Sequence, residues 1–159
     1  MPSKLCLSLV VAGLCLLAAD HYDGPRPPKP DIPYLIHANH LIETEVSEAR
    51  EQSSKKESSY VIPGAASPAR TPMAEPIFII ESSKLTPEQI ELYRLDVKGG
   101  SREVVLQQRR RRSESGPFHM LVTRLGGKLY RIEADEPLQN GQYALSPNGS
   151  NTVFCFEIY

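Results

Sequence analysis

The chain has no tryptophan and only 3 cysteines among its 159 residues. It also lacks a glycine-rich phosphate loop, a serine nucleophile elbow, an HExxH pair, paired CxxC motifs and a calcium loop. These absences exclude the motif-borne forms of nucleotide binding, acyl-enzyme hydrolysis, zinc proteolysis and zinc-ribbon folding. No internal repeat is present beyond a strand-and-turn rhythm. Neither sign of charge dominates, since the formal net charge is −1 at pH 7. Such balance gives no overall attraction to nucleic acid or to anionic membranes, and no nucleic-acid partner is expected. No Lys, Arg, Asp or His occurs between Glu136 and Glu157, so the densest block of core-forming residues carries no catalytic chemistry.

One long apolar run exists, from Leu5 to Ala19, behind Lys4 and ahead of Asp20. It fits the apolar core of a secretory signal and falls short of the roughly 20 residues that span a bilayer. Residues 1–19 are therefore read as an export signal. Cutting after Ala19 leaves Leu17 three positions back, where a small residue is preferred, so a retained membrane anchor is the alternative. Export implies a periplasmic or extracellular location. Removal of the signal takes Cys6 and Cys15 with it and leaves Cys155 alone, unable to form an internal disulfide. Stability must then come from packing, and the place of Cys155 between Phe154 and Phe156 predicts a buried, unreactive thiol.

Residues 20–33 hold five prolines and a glycine and read as an extended spacer. Residues 34–56 begin apolar, break at Asn39 and turn polar: either two short strands meet near Asn39 or a helix begins there, giving an edge strand or a short helix. His37 and His40 are the only close histidine pair. On a helix they would share a face and offer two metal ligands, whereas in one continuous strand residues three apart point to opposite faces. The favoured reading is a surface pair, with His37 and His40 kept as the candidate metal ligands. The stretch Gly64 to Pro76 reads as a long surface loop.

From Pro76 the pattern becomes regular. Ile77 to Glu81 predicts a buried strand. Thr86, Pro87, Glu88 and Gln89 carry a helix-start signature with Thr86 as the cap, feeding an alternating strand from Ile90 to Val97. Lys98, Gly99 and Gly100 reverse the chain into Arg102 to Gln108. A second hairpin pairs Phe118 to Arg124 with Lys128 to Ala134, leaving His119 as a β-surface side chain. Glu133, Asp135 and Glu136 form an acidic cluster, which does not by itself define the facing carboxylates of a glycosidase.

Between these hairpins lie Arg109, Arg110, Arg111 and Arg112. Four like charges between strands predict a solvated loop, with contact to an anionic envelope polymer as the functional alternative. No aromatic residue is interleaved with them, as a single-strand nucleic-acid groove would need.

The chain closes on Gly141 to Tyr159, two β-rich runs around Pro147, Asn148, Gly149 and Ser150. Phe154, Phe156 and Ile158 share one face of the second run and Val153 and Cys155 the other. A strand apolar on both sides needs cover on both sides, so it should lie inside a sheet. The runs PLQNGQYALSPNGSNTVFCFEIY and ARTPMAEPIFIIE resemble uncharacterised exported bacterial β-domain proteins. That resemblance implies an envelope or extracellular location and no assigned activity.

The sequence thus predicts an all-β protein. An antiparallel β-sandwich or barrel-like domain of about 6–8 strands occupies residues 57–159, behind a signal segment and a proline-rich spacer. The expected function is a non-enzymatic interaction or structural domain of the cell envelope, with a protein or anionic envelope polymer as partner. No catalytic or cofactor-binding residue is assigned and no cofactor is expected. Two alternatives come from other classes. One is a metal-dependent or hydrolytic enzyme using His37, His40 and His119, whose sign would be convergence of those rings. The other is a small-ligand carrier, whose sign would be an apolar pocket.

Overall fold

The computed structural model describes residues 22–53, 57–107 and 116–159. The export signal at 1–19 and the arginines at 109–112 lie outside the described residues. Among those described, the chain is all β with no α-helix. Its strands are β1 (Tyr34–His37), β2 (His40–Glu43), β3 (Glu45–Glu48), β4 (Arg50–Ser53), β5 (Glu57–Pro63), β6 (Arg70–Thr71) and β7 (Ile77–Glu81). They continue with β8 (Ile90–Lys98), β9 (Ser101–Gln107), β10 (Met120–Gly126), β11 (Leu129–Ala134), β12 (Gly141–Pro147) and β13 (Thr152–Ile158). Among the described residues, nine strands, β5–β13, fall within 57–159 against the expected six to eight, and residues 34–53 add four more, two of them from the polar stretch 45–53. Its residues are exposed or half-buried, apart from Ala49, since it borders a sheet and needs only one apolar neighbour.

The smaller sheet runs β10-β11-β7-β1-β2, and the larger runs β3-β13-β12-β8-β9-β5-β4, with β6 added beside β13. Every strand pair is antiparallel except β6 with β13. Only Ala49 separates β3 from β4, yet β3 pairs with β13 and β4 with β5. The two ends of the larger sheet are therefore one stretch of chain, and the sheet curls round into a barrel.

That curl gives the larger sheet two apolar faces. Its outer face packs on the smaller sheet through Leu92, Tyr143, Leu145, Phe154, Phe156 and Ile158, against Leu35, Phe78, Ile80 and Ile132. Phe156 meets Phe78 edge-on at 5.0 Å between ring centres and stacks on Tyr143 at 5.5 Å, separations at which rings attract beyond their burial. Its inner face forms a second core from Ala49, Ile62, Leu95, Val104, Ala144, Val153 and Cys155. Alternate residues of β13 supply both cores, as the two-sided apolar pattern requires.

The β8–β9 turn places Gly99 and Gly100 at φ 59° and 81°, a mirror-image turn that suits the twist of the strands. Pro87–Gln89 makes one 3-10 turn leading into β8, as expected, but the Thr86 hydroxyl caps nothing there. The stretch Gly64–Pro76 is exposed over most of its length, as expected of a surface loop, and carries the short strand β6. Ser67, Ala69 and Thr71 within it are buried, and the Ser67 hydroxyl donates to the Cys155 carbonyl at 3.1 Å and its N–H to Gln142 at 2.9 Å. These bonds hold the loop across the barrel's lower end.

The proline-rich segment is docked over at least its latter half. Pro27 and Pro33 are buried, and Lys29 pairs with Glu43 at 2.9 Å. Asp31, at φ 59°, accepts the backbone N–H groups of Ser83, Lys84 and Leu85 on one oxygen at 2.8, 2.8 and 3.0 Å. Burial pushes its carboxyl up, and these three donors together outweigh that and hold it below the usual range. Among the described residues, no helix is long and apolar enough to cross a membrane.

Candidate ligand site at the barrel mouth

The barrel has a closed end and an open one. The closed end is built on Arg102, whose side chain is fully buried. β9 alternates Arg102, Val104 and Leu106 into the barrel, so the guanidinium enters the same interior as the apolar residues. There its Nη atoms donate to both carboxylate oxygens of Glu45 at 2.7 Å. Nε donates to the Gly64 carbonyl at 2.9 Å and Nη2 to that of Pro63 at 2.8 Å. A planar fork on a carboxylate, completed by carbonyls, is what keeps a desolvated Arg tolerable. Desolvation works against its charge, and the Glu45 contact outweighs it, so the guanidinium pKa lies above its ordinary value. Cys155 lies in the same interior, where burial pushes its thiol up to about 12. It is a packed, protonated side chain and not a nucleophile.

The open end holds a cavity of 330 Å³. Buried Ala49, Ile62, Leu95, Val104, Ala144 and Val153 line its depth, with half-buried Tyr60, Tyr93 and Leu106 beside them. Exposed Glu91 and residues 148–151 line its entrance. The hollow has a simple cause: Ala49 and Ala144 stand where larger side chains would fill the barrel, as in the layers of a packed small barrel. Room for about eleven waters, at ~30 Å³ each in the liquid, corresponds to a ligand of about ten non-hydrogen atoms. Glu91, Tyr93 and Leu95 alternate on β8 and face the cavity together. The Tyr93 hydroxyl donates to Glu91 Oε2 at 2.5 Å. Burial first, then this bond to a carboxylate, raises the Tyr93 pKa and keeps the phenol protonated. An apolar floor with a few polar groups gathered at the entrance is the usual constitution of a small-molecule site. A larger hollow of 640 Å³ lies beside Arg94, Asp96, Glu136 and Gln139, with Val104, Phe118, Leu138 and Tyr143 also in its lining, and its surface is mostly polar.

The residues singled out in the sequence are not here. His37 and His40 are exposed at the tip of the β1–β2 hairpin. His119 is exposed just before β10, with Nδ1 2.9 Å from Asp135 Oδ2. Strands β11 and β7 separate β10 from β1, a gap of about 14 Å at ~4.8 Å per strand. The three histidines do not converge. Among the described residues, no group of three or more His, Cys, Asp or Glu side chains could hold a metal. Glu133 pairs with Arg131 and Asp135 with His119, so the acidic cluster is split between partners. Sequence reasoning missed Tyr60, Glu91, Tyr93 and Ala144, which alternation places on inward faces but which come together only when distant strands close the barrel.

The fold and the site define an antiparallel β-sandwich in which one sheet curls into a small barrel with an open, mainly apolar mouth. No family model, curated protein or solved structure matches the chain.

Proposed function

We propose that this chain is an exported, non-enzymatic binding domain of the cell envelope, and that its barrel mouth takes a small ligand with an apolar body and a polar end. The observation that carries this reading is the cavity above Ala144. An empty space of this kind forgoes packing that a larger side chain would supply, and its polar groups stand at the entrance where the end of a ligand would emerge. The export signal read at residues 1–19 supports the location. The arginines at 109–112 remain a proposed contact for an anionic envelope polymer.

A ligand that binds only the folded state raises its stability by an amount set by concentration over Kd, about 2.7 kcal/mol at 100 times Kd. Thermal unfolding with a panel of small alcohols and phenols tests the reading, with Ala144→Leu as the filled control. The wild-type chain gains stability with the best-fitting compounds, and Ala144→Leu gains none. Equal responses of the two proteins, or none from either across the panel, refute the reading.

A further inference from the structure

We propose that the tip of the β1–β2 hairpin is a two-imidazole chelating site for a divalent late transition metal ion, Cu²⁺ foremost. In a single strand running through residues 37–40 the two rings would point to opposite faces. The chain instead reverses within it. Ala38 and Asn39 take φ 47° and 63°, a two-residue mirror-image turn, and His37 and His40 become register partners on adjacent strands. Directly opposed residues on an antiparallel pair share a face, with Cβ atoms about 4.5–5.5 Å apart. A metal held at ~2.0–2.1 Å from each imidazole nitrogen can bridge two rings so placed without movement of the backbone.

The two rings are presented on a fixed base. Leu35 and Ile42 are the register partners next down the same face, Leu35 is buried and Ile42 packs on the main core. Thr44 closes the other side of the hairpin by donating its hydroxyl to the Pro33 carbonyl at 2.7 Å. Both histidines are exposed, so an ion reaches them from solvent. Imidazole suits copper, nickel and zinc, and among these the divalent affinity order places copper first. With no third side-chain ligand gathered among the described residues, water or a small co-ligand completes the coordination. That makes it an open surface site rather than a closed structural one.

The test is titration of the full chain, residues 1–159, with CuCl₂, followed by calorimetry and by electron paramagnetic resonance for nitrogen ligation. We expect one Cu²⁺ bound through two nitrogens, with affinity falling at least tenfold in His37→Ala and equally in His40→Ala. Affinity should stay within twofold of wild type in His119→Ala and His21→Ala. Both hairpin residues are exposed, so their replacement leaves the fold intact, which circular dichroism checks directly. Because the chelate joins two strands, Cu²⁺ should raise Tm in the wild type and in neither hairpin variant. Loss of binding in His21→Ala or His119→Ala, hairpin variants within twofold of wild type, or bound copper with no rise in Tm would each overturn the proposal.

Discussion

Replacing either partner of the Arg102–Glu45 pair should destabilise the protein, and by unequal amounts. Breaking a buried ion pair by removing one member costs about 3–5 kcal/mol, mainly because the charge left behind is uncompensated. The two members are not equally placed to recover. Glu45 keeps 22% of its side chain exposed while Arg102 keeps none. In Arg102→Met the orphaned carboxylate can rehydrate, and Pro63 and Gly64 lie exposed enough to turn their carbonyls to water. About 2 kcal/mol is then the expected loss, near that of two ordinary hydrogen bonds. In Glu45→Gln the guanidinium stays buried with only neutral acceptors, and the loss should reach about 4 kcal/mol. At a slope of about 2 kcal/mol per molar urea, the midpoints fall by ~1 M and ~2 M. Far-UV circular dichroism and tyrosine fluorescence follow the transition, the chain having no tryptophan. The double variant should lose well less than the sum of the two single losses, since neither charge is then left alone. A Glu45→Gln variant that unfolds at higher urea than Arg102→Met would refute the reasoning.

Two further outcomes follow from the same physics. The Asp31 carboxyl is held below its unfolded value of about 3.8, so its contribution is present above that pH and is lost as pH falls through the folded pKa. Asn tolerates the left-handed backbone and keeps an acceptor, so Asp31→Asn should cost on the order of 1 kcal/mol at neutral pH and flatten the decline in urea midpoint below about pH 4; an unchanged acid profile contradicts this. Cys155, with its thiol pushed up to about 12 by burial, should resist alkylation in the native state and react only as denaturant unfolds the barrel; rapid native labelling of that residue, read by peptide mass, would show the interior to be open.

Much of the fold was legible because strand alternation reports the neighbourhood of each face. Phe154, Phe156 and Ile158 against Val153 and Cys155 called for cover on both faces of β13, and the two cores supply it. The polar stretch 45–53 was harder, because an edge strand with one packed face carries little apolar signal, and its helix propensity was overridden by pairing with β13 and β5. The break at Asn39 was legible, asparagine being one of the residues that a turn at positive φ prefers, but Ala38 gives no such signal, so a reversal and a helix start both stayed open. Nothing in the local sequence marks Arg102 as buried, because its partner, Glu45, lies 57 positions away. The cavity was illegible for the same reason, since Ala49 and Ala144 are unremarkable until the barrel sets them in one interior.

Methyl NMR of the isotopically labelled chain, titrated with the compound that stabilises it most, tests the central claim most directly. The account predicts saturable shifts at Ala49, Ala144 and Val153, with the methyls of the main core at Leu35, Ile80 and Leu145 unmoved. Shifts scattered over the surface, or confined to residues away from the barrel mouth, would contradict it.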